Sequence, residues 1–140
     1  MKAKELMIGN FIYIKNREVP EIVRVNRIDG KRLLCRSYDK AEAIEVSSKL
    51  CKPIPISEEW LTKNEFNREY DCICEYTYYI REIDGYFVEI KIGCSNMGDE
   101  YVNCHIDNCD RNSVANADIQ YVHQLQNLLN IMNIKFDIKL

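Results

Sequence analysis

The sequence predicts an α+β protein: a small SH3-like β-barrel over residues 1–56, then an antiparallel sheet packed by a C-terminal helix over 57–140. Three observations predict it. The first 56 residues hold five short apolar runs divided by turn residues, a spacing that suits a small barrel. Residues 72–92 alternate in character at a period of two, as half-buried strands do. Residues 118–132 place Val122, Leu125, Leu129 and Met132 on one face at 3.6-residue spacing, with Tyr121 and Leu128 widening it. At 140 residues and 46% hydrophobic, the chain can bury a core without metal or disulfides. Two small packed lobes or one continuous compact domain both fit that length.

In chain order, Phe11–Ile14 opens a first strand after Gly9-Asn10, and Pro20 marks a break. Ile22–Ile28, Leu33–Tyr38 and Ala43–Val46 follow as strands, and the prolines at 53 and 55 keep Lys52–Ile56 extended. Ser57 is placed to cap a short helix whose first turn carries Glu58 and Glu59, which suits the positive end of its dipole. From Tyr70 the β-pattern returns. Cys72, Cys74, Tyr76, Tyr78 and Ile80 are taken as one face, and Tyr86, Val88, Ile90 and Ile92 as its counterpart. Matching those faces requires a three-residue loop, Ile83-Asp84-Gly85, pairing Ile80 with Val88. The same logic pairs Val25 with Leu33 across Ile28-Asp29-Gly30.

After a loop at Ser95–Glu100, Tyr101–Ile106 forms a strand and Asp107–Asn116 a polar solvent loop. That loop lacks the spacing and closing Glu of a calcium-binding EF-hand. Asp118 is the expected N-cap of the long helix, with Gln120, Gln124 and Asn127 on its solvated side. Ile134–Ile138 alternates as a last strand.

Seven cysteines, an odd number, follow no disulfide framework. Cys35, Cys72 and Cys74 fall at strand positions, as small apolar residues. A zinc site from Cys94, Cys104, His105 and Cys109 would lack a CxxC knuckle, and adjacent Cys104 and His105 would point to opposite faces. No metal and no cofactor is expected. The N-terminus lacks the apolar core of a signal peptide, and no run approaches a membrane span, so a cytoplasmic protein without membrane contact is expected.

Charge is asymmetric. Residues 1–52 hold 12 Lys and Arg against 7 Asp and Glu, a balance of +5, while residues 53–140 hold 7 against 15, a balance of −8. Lys15, Arg17, Arg24, Arg27, Lys31, Arg32 and Arg36 are therefore candidates for nucleic-acid contact. On the long helix, His123, Gln126 and Asn130 share a flank beside the apolar stripe, at i, i+3 and i+7. Gln126 is expected to bond a backbone group. A catalytic alternative makes His123 a general base, but no Gly-rich loop, nucleophile elbow or HExxH accompanies it. Trp60, the only tryptophan, fits the core better than a ligand platform, and is kept with the helix flank as a binding candidate.

Three segments carry a resemblance: Glu5-Leu6-Met7-Ile8-Gly9-Asn10, Pro53-Ile54-Pro55-Ile56-Ser57-Glu58-Glu59-Trp60-Leu61, and Tyr121-Val122-His123-Gln124-Leu125-Gln126-Asn127-Leu128. In that order they resemble a family of small uncharacterised proteins of Bacteroides-type gut bacteria and their phages and prophages. The chain departs from the family where Met7 replaces a usual Arg, where Glu65 stands for a usual Gly before Phe66, and over 130–135. The resemblance implies a phage or mobile-element setting and brings no catalytic residues. The expected function is a non-enzymatic binding or accessory protein with a protein partner, its oligomeric state open. The alternatives are nucleic-acid binding through the basic N-terminal lobe and catalysis at His123.

Overall fold

Antiparallel pairing organises both halves of the chain in the computed structural model, which describes residues 1–15, 21–38, 40, 42–94 and 100–140. The fold is α+β, with two antiparallel sheets of five strands and two α-helices among the described residues. The chain divides into two compact units: Met1–Pro55 with Tyr121–Leu128, and Ile56–Gln120 with Leu129–Leu140. Pro20, and the loop before Glu100 except for that residue, lie outside the described residues.

The first unit is built on strands β1 (Phe11–Ile14), β2 (Glu21–Asp29), β3 (Arg32–Ser37), β4 (Ala43–Ser47) and β5 (Cys51–Lys52), in the order β4-β3-β2-β1-β5. This sheet curls into a half-barrel. A 3-10 turn at Ser48–Leu50 carries the chain from β4 to β5. Ile12, Ile14, Val23, Val25, Leu33, Cys35, Val46 and Cys51 form the inward face with Leu6. Their alternation with exposed neighbours is the period-two pattern of a strand buried on one side.

Cross-strand register corrects the sequence expectation: Val25 lies opposite Cys35, not Leu33. Ile28 faces Leu33 and Asp29 faces Arg32 across a two-residue turn, Gly30-Lys31, with a bulge between Val25 and Arg27. The bulge absorbs the one-residue shift that otherwise flips every side chain.

The second unit opens with α1 (Glu58–Lys63), capped as expected: Ser57 Oγ accepts the Trp60 N–H at 3.2 Å. The helix ends with Glu65 at φ +61, where Phe66 N–H donates to Leu61 O and Glu65 N–H to Thr62 O. Those two bonds are a Schellman closure, which places its C′ residue in the left-handed region. Position 65 is thus one that favours glycine.

Strands β6 (Asn67–Asp71), β7 (Tyr76–Ile83), β8 (Tyr86–Cys94), β9 (Glu100–Asp107) and β10 (Ser113–Asp118) follow as a meander in the order β10-β9-β8-β7-β6. Residues 72–75 are a turn, so Cys72 and Cys74 are exposed rather than in a strand. Asp71 causes it: its carboxylate accepts the N–H groups of Ile73 (2.8 Å) and Cys74 (3.0 Å), which pulls the backbone out of the ladder. The β7–β8 hairpin turns on two residues, Asp84-Gly85, both at positive φ, and pairs Ile83 with Tyr86 and Arg81 with Val88. The three-residue loop is overturned because the buried face of β7 is Tyr79 and Ile83, the opposite parity to Tyr78 and Ile80.

Three further expectations change. The polar loop after β9 is confined to its tip, because Ser113–Asp118 pairs with β9 as β10. Helix α2 runs Val122–Ile131, so Asp118 is a strand end that accepts from Asn103 Nδ2 and not an N-cap. Gln124 performs half of a capping box instead, its Oε1 accepting the Tyr121 N–H at 3.1 Å. Residues 134–140 form no strand. Their alternation is real all the same: Ile134 is buried and Lys135 exposed, while Lys139 N–H donates to Asn64 Oδ1 and Lys135 N–H to Asp84 Oδ2. Side chains stand where a partner strand would.

Candidate functional site

In the first unit the start of α2 is tied to the loop before β1. Gln126 bonds backbone groups, as its position beside the apolar stripe predicts: Oε1 accepts the Phe11 N–H (3.0 Å) and Nε2 donates to Gly9 O (3.2 Å). Asn127, placed by the sequence on a solvated face, is a partner too. Its Oδ1 accepts from Asn10 Nδ2 (2.9 Å) and its Nδ2 donates to Glu5 O (3.1 Å). Asn10 is fully buried, and its own Oδ1 accepts the Met7 N–H at 2.7 Å. Gly9, at φ +97, donates its N–H to Val25 O. Residues 5–10 and 121–128, the first and third segments of the resemblance, are therefore hydrogen-bonded to each other. Each buried amide is satisfied, which is the signature of a structural pin.

The flank of His123, Gln126 and Asn130 is divided by the structure. His123 is 2% exposed, its ring stacked on Tyr121 with centroids 5.8 Å apart, and its Nδ1 is buried without a hydrogen-bond partner. Burial holds its pKa below the usual imidazole value, with Glu5 pulling weakly the other way. Asn130 is exposed, and it groups with the second unit. Periodicity gave these residues one flank; depth separates them. Trp60 is 7% exposed and packs with Phe66 and Phe136 at centroid distances of 6.4 Å, so it belongs to the second unit's core.

The basic residues fare differently. Lys15, Arg24, Arg27, Lys31, Arg32 and Arg36 are all exposed, and Arg17 lies outside the described residues. Register places several of them in rows across the outer side of the first unit's sheet. One row runs Phe11–Arg24–Arg36–Ala43. Arg24 and Arg36 are directly opposite, a like-charge pair that costs stability unless an anion lies over it. A second row runs Lys52–Tyr13–Ile22, and the third is Arg27–Leu34–Glu45. Tyr38, 47% exposed, meets Phe11 edge to face at 5.8 Å. Among the described residues, Arg32 pairs with Glu45 (3.2 Å), whereas neither Arg24 nor Arg36 forms an ion pair. Cavities open on this unit among its described residues. One of about 130 Å³ is lined by Arg27, Asp29, Arg32, Leu34 and Glu45, and one of about 580 Å³ by Tyr13, Ile14, Lys15, Ile22 and Lys52. The sequence showed the cations; their alignment with Phe11, Tyr13 and Tyr38 depends on pairing and was missed.

The second unit carries an ionisable row on its sheet, also missed by sequence reasoning. Ile80, Glu89, His105 and Asn116 are aligned by register across β7 to β10. His105 Nε2 lies 2.9 Å from Asp107 Oδ1, and burial raises the Glu89 carboxyl above its ordinary range. Tyr78 donates to Glu69 Oε2 at 2.7 Å, a bond that, with burial, pushes its phenol up to about 12. Lys91 Nζ sits 3.5 Å from the centre of the Tyr76 ring. Glu89 also feels the neighbouring carboxylates of Asp107 and Asp71, which raise its pKa, and His105 and Lys91, which lower it.

The four residues weighed for zinc are dispersed. Cys104 is fully buried, His105 points the other way, Cys94 is exposed at the end of β8, and Cys109 is exposed in the turn before β10. Among the described residues no group of three or more His, Cys, Asp or Glu is placed to hold a metal ion. The polar turn is closed by Asn108, whose Oδ1 accepts the N–H groups of Asp110 and Asn112. No helix among the described residues is long and apolar enough to cross a membrane. No family model, curated protein or solved structure matches the chain, so its surfaces are the ground on which function is read.

Proposed function

We propose that the chain is a non-enzymatic binding protein whose first unit, an SH3-like small barrel, holds nucleic acid on the outer side of its sheet. The order β4-β3-β2-β1-β5 with a 3-10 turn before β5 supports the SH3-like reading. The buried stripe Val122, Leu125 and Leu129 supports α2 as a cover for β-structure. The burial and depressed pKa of His123 favour a packing role for it over a general base. A phage or mobile-element setting is compatible with such an accessory role.

One observation carries the proposal: Arg24 and Arg36 are cross-strand neighbours without an ion-pair partner among the described residues, in a row that begins with Phe11. Folding alone disfavours that arrangement, and a phosphate backbone relieves it. The charge reversal Arg36→Glu tests it, because fold and function then respond in opposite directions. The substitution sets a carboxylate opposite Arg24, and is expected to leave stability unchanged or raise it by about 0.2–1 kcal/mol. Affinity for a labelled oligonucleotide at low salt is expected to fall, with a shallower salt dependence. Unchanged binding by this variant, or no binding by the parent at low salt, would defeat the proposal.

A further inference from the structure

The cavity of about 580 Å³ beside β1 combines apolar and aromatic lining with cations. Tyr13 and Ile22, cross-strand neighbours, provide apolar and aromatic lining, and Lys15 and Lys52 supply a positive charge on either side. Its size lies within the roughly 300–1,000 Å³ of small-molecule sites. Both lysines are exposed, while Tyr13 is only half-buried and so offers a ring face. The neighbouring row holds Phe11 beside the Arg24–Arg36 pair, and Tyr38 stands against Phe11. Aromatic faces and cations thus alternate over two adjoining rows.

A duplex keeps its bases stacked inside and presents phosphates, so it can use the cations but not the rings. A single strand uses both: bases stack on aromatic side chains while Lys and Arg track the backbone. We infer that the ligand of this face is single-stranded nucleic acid, with one base seated in the Tyr13–Ile22 cavity and its flanking phosphates held by Lys15 and Lys52. The inference rests on the nucleic-acid reading above and adds the strand state and the seat of a base. Discrimination among bases is expected to be weak, since every base has a stacking face and, among the described residues, the lining includes no amide or carboxylate side chain to read base edges.

The test compares the full chain and its Tyr13→Leu variant on a labelled single strand and on the duplex of the same sequence, by fluorescence anisotropy. Leu keeps apolar bulk and removes the ring. The parent is expected to bind the single strand at least about tenfold tighter than the duplex, and Tyr13→Leu to lose about tenfold on the single strand with little change on the duplex. Equal or tighter duplex binding, or a silent Tyr13→Leu, overturns the inference and leaves the basic-face reading standing. Absence of binding to either probe at low salt overturns both. Ultraviolet cross-linking of the parent to the single strand needs no variant and covers the case in which Tyr13→Leu fails to fold. A cross-link at Tyr13 is the expected result, and cross-links confined to the second unit would overturn the inference.

Discussion

His123 and Glu65 each sit where their chemistry is poorly matched to their surroundings, and each mismatch is measurable. His123 is buried with a depressed pKa, whereas in the unfolded chain it titrates near 6.5. Below about pH 6.5 the unfolded chain therefore binds more protons than the native one, and stability falls as pH drops from there towards the native pKa. Glu89 has the opposite sign: its raised pKa means a contribution present at acid pH and lost as pH rises through the native value. Urea midpoints of the parent and His123→Gln from pH 7.5 to 5 are expected to converge on the acid side, the variant losing less. Parallel curves would refute a proton-linked role. At position 65 a glutamate occupies φ +61, which costs a non-glycine residue about 1–2 kcal/mol. In return its carboxylate pairs with Arg81 and Lys139, contacts on an exposed side chain that solvent screens. Glu65→Gly is therefore expected to be neutral or stabilising by up to about 1 kcal/mol in chemical denaturation. A clear loss would show that the ion pairs outweigh the backbone.

Helix α2 holds the loop before β1 mainly through two amide side chains. Removing Gln126 leaves the Phe11 N–H and Gly9 O without their partners, each lost hydrogen bond being worth about 0.5–1.5 kcal/mol and more where the group stays dry. Gln126→Ala is expected to cost about 2 kcal/mol and to speed amide exchange at Phe11; a loss below about 0.5 kcal/mol would deny the pin. The two helices share a closing device, since Ile134 N–H donates to Leu129 O and Asn133 N–H to Asn130 O, with Asn133 at φ +58. Both Schellman closures lay within reach of sequence reading through the residue that follows, Phe66 or Ile134, each buried. Strand registers were not. Tyr78, Tyr79 and Ile80 are all able to face a core, so alternation leaves two parities open, and the Asp84-Gly85 turn at positive φ decides between them.

Across the molecule, thiol chemistry follows burial. Cys35 and Cys104 are pushed up to about 12 and Cys51 to about 11, in each case first by loss of solvent, while Cys72, Cys74, Cys94 and Cys109 are exposed. A thiol-specific reagent at neutral pH is expected to modify those four quickly in the native protein and the other three only on unfolding. Fast modification of Cys104 would show that the second unit's sheet opens. The first unit is discontinuous in sequence, Tyr121–Leu128 joining Met1–Pro55, which places the partners of the opening loop more than a hundred residues downstream. The sequence by itself determined the α+β class, most strands of the first unit, the Ser57 cap, the helical stretch around Leu125 and Gln126's bond to backbone. All of these follow from local periodicity, capping chemistry and the cost of an unsatisfied amide. Only the tertiary structure decided that Arg24 meets Arg36, that Asn127 meets Asn10, that His123 is buried while Asn130 is exposed, and that residues 134–140 alternate without a strand partner. Those outcomes depend on pairing register and depth, which are set by distant segments and leave no mark in the spacing of any one of them.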